Sequence, residues 1–252
     1  MTIKRYTKDI IIQKNFLTPE ECKNVIKVLE LQNKREKLSW TPISFYESYS
    51  SNLPQDNDAE LLECNLSPTF FSDLQNKIIE LTAMVNDKDP KQMSKIGYHT
   101  QKWEPGAYAT IHADNSDNEG NASPFERSRY ATFVYLNEDF EGGILNFPQH
   151  DIQIKPQIGL AAAFAGNYTN LHEVTMITSG VRYTLGSFWD DREESAYPEE
   201  TRIKWKEELE QIREQQRVDQ QEWQDLLKEG YKIDKSGNKY QYNKNIGDNK
   251  WN

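Results

Sequence analysis

The chain has 252 residues, of which 36% are hydrophobic and 12% aromatic, and its formal net charge is −10 with a pI near 5.0. That length accommodates one large β domain with helical additions around a single core. The acidic balance argues against an extended footprint on duplex DNA, because such a surface needs clustered Lys and Arg.

The chain contains two cysteines, Cys22 and Cys64, and no C-x-x-C motif. This usage argues against a disulfide framework and fits a reducing compartment. No apolar run follows Met1, and no stretch approaches the roughly 18 apolar residues that a membrane-spanning helix needs. We therefore expect a cytoplasmic protein that is neither secreted nor membrane-spanning.

The N-terminal region begins with a predicted strand at Ile10–Ile12. Thr18 has the features of a helix N-cap, with Pro19 at the first helical position and Glu21 at the third, which together make a capping box. The apolar spacing predicts that this helix extends to about Gln32.

Residues 33–58 are polar and interrupted by prolines, and we predict a loop with one short strand at about 43–46. A second helix is predicted over 67–85, with Ser67 as its cap and its large apolar residues on one face. We expect residues 1–94 to pack as helices and strands on a core that follows.

From residue 96 to 189 the pattern changes to short strands separated by Gly, Pro, Asn and Asp at intervals of roughly eight to twelve residues. This pattern is typical of a sandwich or barrel, and about eight strands in two sheets would make a jelly roll. We place the core domain at 95–191. The polar insert 115–128 is predicted to be a mobile loop over the mouth of a site, or a solvated loop without a role.

The C-terminal region 192–252 is richer in charge. Residues 198–228 predict a long helix with a broken apolar stripe, which we expect to pack on the domain or to mediate a homodimer. Residues 232–245 predict a small hairpin that turns at 236–237.

The candidate metal ligands are the two outer residues of His112-Ala113-Asp114 and a later histidine, His172. Two imidazoles and one carboxylate on one face of a metal make the triad of non-haem Fe(II) sites, which leaves coordination positions open. Residues two apart on a strand share a face, so His112 and Asp114 should project together. We expect His172 to come from the opposite sheet, on a strand over 169–174. Arg182 supplies a charged fork suited to a carboxylate.

These residues stand in an ordered series of segments, found at 103–108, 129–137, 140–147, 154–159, 170–174 and 180–183. Over about 95–190 the series resembles the prolyl hydroxylase-like branch of the Fe(II)/2-oxoglutarate oxygenases, which includes the hypoxia-inducible-factor and collagen-type enzymes. The resemblance implies a mainly β fold with flanking helices around a double-stranded β-helix, that is, a cupin-like jelly roll. It also implies that His112, Asp114 and His172 bind Fe(II).

Further site residues follow from the resemblance. Arg182 would form a salt bridge with the C5 carboxylate of 2-oxoglutarate, assisted by the hydroxyl of Tyr135, with Thr132 as a further candidate. Trp103 stands where the hypoxia-factor type has Tyr, so it could donate through its indole N–H or simply pack. Tyr108 is a candidate for lining the site.

Other residues near the motifs have structural interpretations. His99 and His150 lack matching partners and are interpreted as surface or structural. Glu173 is interpreted as an exposed strand residue, with support of His172 as the alternative. Gly142-Gly143 predicts a tight turn that introduces a strand forming a wall of the co-substrate pocket.

The implied activity is oxidative decarboxylation of 2-oxoglutarate by O2 to succinate and CO2, coupled to hydroxylation of a substrate C–H bond. Ascorbate is a further candidate cofactor. Asp114 favours hydroxylation, because halogenases of this superfamily lack the carboxylate.

The favoured substrate is a prolyl or other side chain of a protein or peptide, and a free amino acid or small metabolite is the alternative. The net charge disfavours a nucleic-acid demethylase. A non-catalytic binding module and a metal-binding lectin-like jelly roll are the remaining alternatives. Neither explains Arg182 together with the intact triad.

Overall fold

The computed structural model describes residues 2–43, 48–229, 231–233 and 239–241. These divide into two compact units, residues 1–206 and 207–252. In the first unit, antiparallel strands make two sheets and helices flank them. The predicted fold class, mainly β with flanking helices, is confirmed.

The major sheet has eight strands. In spatial order they are β1 (Thr2–Arg5), β2 (Ile10–Lys14), β10 (Ala161–Ala165), β7 (Tyr130–Tyr135), β12 (Arg182–Asp190), β5 (Ser94–Trp103), β4 (Ser48–Ser51) and β3 (Thr41–Ile43). All neighbouring pairs are antiparallel. β2 is the strand predicted at Ile10–Ile12. The strand predicted at 43–46 is only partly matched by β3, since residues 44–47 lie outside the described part of the chain.

The minor sheet has four short strands. In spatial order they are β6 (Ala109–His112), β11 (His172–Val174), β8 (Leu145–Phe147) and β9 (Ile152–Ile154). Buried residues of both sheets, including Tyr135, Phe147 and Phe164, form one hydrophobic cluster between the layers. Two antiparallel layers around such a core make the sandwich of a jelly roll.

Helix α1 (Pro19–Lys34) begins with the predicted capping box. The Thr18 hydroxyl accepts a hydrogen bond from the Glu21 backbone N–H at 3.1 Å, and the Glu21 carboxylate accepts one from the Thr18 N–H at 2.7 Å. Such caps contribute about 1 kcal/mol to helix stability. The helix ends slightly beyond the predicted Gln32.

Helix α3 (Phe70–Ala83) begins later than predicted, and Ser67 is not its cap. The N-cap residue Thr69 makes no capping side-chain bond; instead, the Asp56 carboxylate accepts from the Phe71 N–H at 3.1 Å. A cap supplied from a distant loop leaves no local sequence signature. A short helix, α2 (Ala59–Glu63), precedes α3 and was not predicted, because five residues are too few for a periodic pattern.

Helices α1 and α3 cover one face of the major sheet with a second hydrophobic cluster. Strand β10 separates the two clusters: Ala161 and Ala163 belong to the helix side, whereas Ala162 and Phe164 belong to the layer between the sheets. Small side chains on β10 let the helices approach the sheet closely.

Helix α4 (Glu199–Lys228) matches the predicted charged helix. Within the first unit its residue Trp205 is buried and packs edge-on against Tyr197, with ring centroids 5.0 Å apart. None of the helices in the described ranges has the long apolar run that crossing a bilayer requires.

The second unit contains the remainder of α4 and an antiparallel pair, β13 (Tyr231–Ile233) and β14 (Lys239–Gln241). This pair is the predicted hairpin, and its turn at 236–237 lies outside the described residues. The boundaries 1–94, 95–191 and 192–252 and the homodimer stay predictions.

Candidate metal centre

Three candidate ligands converge at one edge of the minor sheet. His112 ends β6, His172 begins β11, and the two residues are register partners. The Asp114 Oδ1 atom lies 3.7 Å from His112 Nε2 and 3.6 Å from His172 Nε2. One ligand atom from each residue lies within 4.8 Å of the others, which is a spacing that one metal ion can bridge.

Two details of the prediction are wrong. His172 does not come from the opposite sheet, because β11 is the hydrogen-bonded neighbour of β6. Asp114 lies beyond the end of β6, so strand alternation does not orient it. Its backbone N–H instead donates to the Gly166 carbonyl at 2.8 Å. A Cβ atom on Gly166 would lie 2.7 Å from both Cβ and Oδ2 of Asp114, so this glycine makes room for the carboxylate.

Backbone carbonyls orient both imidazoles. His112 Nδ1 lies 2.7 Å from the Thr110 carbonyl oxygen, and His172 Nδ1 lies 3.1 Å from the Asn170 carbonyl oxygen. A carbonyl only accepts, so both Nδ1 atoms carry a proton, and in the neutral imidazole each Nε2 atom then presents a lone pair. Burial, and then the neighbouring His172, lower the pKa of His112, which favours the neutral form that a metal requires.

A buried cation lies at the other end of the same cavity. Arg182 begins β12 and is 2% exposed, and its guanidinium carbon lies 4.8 Å from the Trp103 ring centre and 5.3 Å from that of Tyr135. Its Nε and Nη1 atoms and the Tyr135 hydroxyl meet no partner at good hydrogen-bonding geometry, and the hydroxyl and the guanidinium are close enough to interact electrostatically. Within the described ranges no carboxylate pairs with Arg182. A buried charge without a counter-ion is costly, so this end of the cavity is suited to an anion.

The cavity joins these two ends. It is lined by residues of both sheets: Gln101, Trp103, Ala109, His112, Asp114, Phe133, Tyr135, Leu145, His172, Val174, Arg182 and Phe188. The predicted residues Trp103, Tyr135 and Arg182 are therefore brought together with the three candidate ligands. Sequence reasoning missed Gln101, Phe133 and Phe188. Strand alternation could have identified two of them, because residues two apart on a strand share a face: Gln101 shares one with Trp103, and Phe133 shares one with Tyr135.

Thr132 does not belong to this cavity, which corrects its prediction as a co-substrate residue. Its hydroxyl lies 2.7 Å from the hydroxyl of Thr82 on α3, on the helix side of the major sheet. Thr132 and Tyr135 are three residues apart on β7, so their side chains project to opposite faces. Tyr108 also lies outside the cavity, in an open groove beside Glu173 and Met176.

The remaining histidines differ from each other. His150 Nε2 lies 2.9 Å from both the Thr169 carbonyl oxygen and Asn170 Oδ1, which confirms its structural interpretation. His99 is half-buried and its ring stacks on Phe188 with centroids 5.9 Å apart, which agrees with the structural alternative of its prediction. Burial lowers the pKa of His99 to about 4.

The turn at Gly142-Gly143 is confirmed. Both residues have positive φ, 83° and 65°, and a Cβ on Gly142 would lie 1.8 Å from the Met176 carbonyl oxygen. The strand that follows contributes Leu145 to the cavity wall, as expected. Glu173 is half-buried and accepts a hydrogen bond from the Asn146 side chain at 2.7 Å.

The insert 115–128 contains one isolated bridge, between Ser116 and Ala122, and is otherwise a loop as predicted. Ion pairs join its end to the last residue of β12 and to the segment after it: Arg127 Nε lies 3.1 Å from Asp190, and Arg192 lies 3.2 Å from Glu126. Its mobility and its place over the mouth stay predictions.

The sequence model of the 2OG-Fe(II) oxygenase superfamily matches residues 98–190, which contain every side chain of the cavity. This segment is a 2OG-Fe(II) oxygenase domain. The predicted resemblance to the prolyl hydroxylase-like branch is confirmed, since one curated relative and the solved structures that are similar to this chain are prolyl hydroxylases.

Prolyl 3-hydroxylase 1 of Gallus gallus is 36% identical over 61 residues, which are 22% of this chain and only 8% of that protein. A prolyl-4-hydroxylase of Pseudomonas putida aligns with a TM-score of 0.53 at 16% identity, over 73% of this chain and 94% of its own. A Trichoplax adhaerens prolyl hydroxylase in complex with a hypoxia inducible factor peptide aligns with a TM-score of 0.52 at 18% identity, over 73% and 84%. The likeness to the solved structures shows a shared fold, the predicted jelly roll.

Fe(II), 2-oxoglutarate and O2 are the cofactor and co-substrates of this family. The side chains fit them. Two neutral imidazole nitrogens and one carboxylate oxygen suit Fe(II). Arg182 and Tyr135, whose buried polar atoms lack partners, suit the far carboxylate of a dicarboxylic acid.

Proposed function

We propose that this protein is an Fe(II)- and 2-oxoglutarate-dependent dioxygenase that hydroxylates a C–H bond in a prolyl or other side chain of a protein or peptide. One observation carries the proposal. A single cavity has the His112–Asp114–His172 cluster at one end and the unpaired cation Arg182 at the other. A metal-chelating acid with a second, distant carboxylate matches both ends.

Each residue then has a defined role. His112, Asp114 and His172 would hold Fe(II), which together with 2-oxoglutarate and O2 would supply the oxidising power for hydroxylation. Arg182 binds the far carboxylate through its fork of donors, and the Tyr135 hydroxyl, which faces the same guanidinium, adds a hydrogen bond. Leu145 and Val174 give the cavity apolar walls. Apolar surroundings that exclude water strengthen the attraction between the Arg182 guanidinium and the carboxylate of the co-substrate.

The choice of a peptide substrate rests on access and on the neighbouring structures. The His112 side chain is 27% exposed, whereas Arg182 is 2% exposed, so a substrate reaches the metal end rather than the anion end. One of the fold neighbours is in complex with a peptide. The net charge of −10 disfavours a nucleic acid. We also propose a cytoplasmic location, supported by the free cysteines Cys22 and Cys64.

The test is succinate formation by anaerobically purified protein given Fe(II), 2-oxoglutarate, ascorbate and O2, beside His172→Ala and Arg182→Ala variants. We expect slow turnover without substrate in the wild type and its loss in both variants. A peptide library and a set of free amino acids then distinguish the two substrate classes by stimulation of turnover. Absent turnover, together with absent 2-oxoglutarate binding under Mn(II), would contradict the enzyme and favour a jelly-roll binding module.

A further inference from the structure

A polar pair on β5, the buried Gln101 and the half-buried His99, has no role in the site as described so far. Gln101 is 6% exposed and lines the cavity, and its amide nitrogen lies 3.2 Å from His99 Nε2. On the other side of the amide, the Thr184 hydroxyl donates to Gln101 Oε1 across a longer distance of 3.5 Å. Polar groups buried in the wall of a cavity need partners, so their arrangement indicates what the cavity binds.

One N–H of the Gln101 side-chain amide remains available to donate a hydrogen bond to a ligand. An amide nitrogen carries two hydrogens and cannot accept, so the bond to His99 uses one hydrogen and the imidazole Nε2 is the acceptor. Burial keeps His99 neutral at physiological pH, which preserves that lone pair. In this arrangement the amide nitrogen faces His99 and the amide oxygen faces the Thr184 hydroxyl. The second N–H has no acceptor assigned to it among the described residues, in a side chain that faces the cavity.

Register places Gln101 between the two ends of the cavity. On β12 and β5, Arg182 is opposite Trp103, Thr184 is opposite Gln101, and Gly186 is opposite His99. From each of these pairs to the next, both strands advance by two residues, which is roughly 6.6 Å along the strand.

The His99 level corresponds to the metal end. Gly186 is also opposite Phe133, which stacks on Phe164 with centroids 6.1 Å apart, and Phe164 contacts the His172 ring at 4.6 Å. Gln101 therefore lies one step from Arg182 towards the metal ligands, alongside the middle of the cavity.

We propose that Gln101 donates a hydrogen bond to 2-oxoglutarate between its carboxylate at Arg182 and its metal-binding end. His99 is a positioning residue that acts through Gln101 by holding the amide in the donating orientation. This inference rests on the proposed function, and it adds to the co-substrate site a donor that the sequence motifs do not contain.

The experiment measures 2-oxoglutarate affinity by calorimetry on Mn(II)-loaded protein without O2. The variants are Gln101→Leu, which removes the donor, and Gln101→Glu, which keeps the size but replaces the donor with an acceptor. We expect 2-oxoglutarate to bind about tenfold or more weakly to both, because a hydrogen bond to a charged ligand is lost. The affinity for Mn(II) alone should be unchanged.

His99→Phe keeps the ring that stacks on Phe188 but removes the acceptor. We expect a several-fold rise in KM for 2-oxoglutarate with little change in kcat, since the ligand and not the metal is affected. Thr82→Val is the matched control, because it removes a buried hydrogen bond on the helix side of the sheet. It should lower the melting temperature without changing 2-oxoglutarate affinity.

Wild-type affinity in the folded Gln101→Glu variant would overturn the inference, and so would wild-type affinity in Gln101→Leu. A wild-type protein that binds Mn(II) but not 2-oxoglutarate would instead contradict the proposed function. The two failures are therefore distinguishable in one set of titrations.

Discussion

The two ends of the cavity are built differently. Arg182 and Trp103 face each other across β12 and β5, strands of nine and ten residues whose register is continuous from Arg182 to Phe188. The metal ligands stand on β6 and β11, strands of four and three residues with a register shift after His172, and Asp114 lies outside both. Long paired strands fix the anion end, whereas a few local bonds fix the metal end. The anion end should therefore tolerate changes around it better than the metal end does.

The largest effect should come from Asp114→Ala. This change removes the carboxylate from the triad and leaves two imidazoles, so we expect Mn(II) affinity and succinate formation to fall well over about 100-fold. The melting temperature of the metal-free protein should change little, because Asp114 belongs to no strand. Metal titration and thermal unfolding check both parts. Wild-type Mn(II) binding by this variant would place the metal elsewhere.

Arg182→Lys should affect only the anion end. Lysine keeps the charge but loses the planar fork, so we expect 2-oxoglutarate to bind about 10- to 100-fold more weakly while Mn(II) binds normally. Calorimetry with each ligand separates the two effects. Arg127→Lys, at a partly exposed ion pair with Asp190, is the matched control and should leave both affinities unchanged. Wild-type 2-oxoglutarate affinity in Arg182→Lys would show that charge alone suffices, and equal losses in the two variants would show an effect that is not specific to the anion end.

Gly166→Ala tests the metal end of the cavity without changing any of the three candidate ligands. The added Cβ would press on the Asp114 side chain, so we expect Mn(II) affinity to fall about tenfold and stability to fall by about 1–3 kcal/mol. Gly97→Ala is the matched control, since its Cβ would meet Phe188 at an ordinary 3.7 Å. If both variants bind Mn(II) like the wild type, Gly166 does not position Asp114.

The smallest effect on either end should come from replacing Leu209 and Ile212 together by alanine. Both lie on the stripe of α4 that we expect to mediate a homodimer, and neither is among the residues that line the cavity. Light scattering should show a halved mass, with Mn(II) and 2-oxoglutarate affinities unchanged. A mass equal to that of the wild type would remove α4 from any dimer.

The difference between the two ends also explains what the sequence could predict. The capping box at Thr18 follows from local spacing. The residues around Arg182 follow from the family resemblance, whose segments lie on long strands with a continuous register. The position of β11 does not follow, because which strands pair is decided by contacts far apart in the chain. The prediction for Thr132 follows the motif alone, whereas strand parity from Tyr135 places its side chain on the opposite face of β7. The support of Asp114 by Gly166 was not visible, since it is a backbone contact between segments 52 residues apart in the sequence.

Strand β10 also limits how this molecule can diverge. On one face of the major sheet its alanines pack in the cluster beneath the helices. On the other face they belong to the cluster between the two sheets, next to the minor sheet that carries His172. An added methyl group on Ala161 or Ala163 would push α1 and α3 outward, and one on Ala162 would narrow the space between the sheets; overpacking of this kind typically costs about 1–3 kcal/mol. Selection for a wider substrate range should therefore accumulate changes in the loops and at the sheet edges, and leave β10 as the most invariant strand among its descendants.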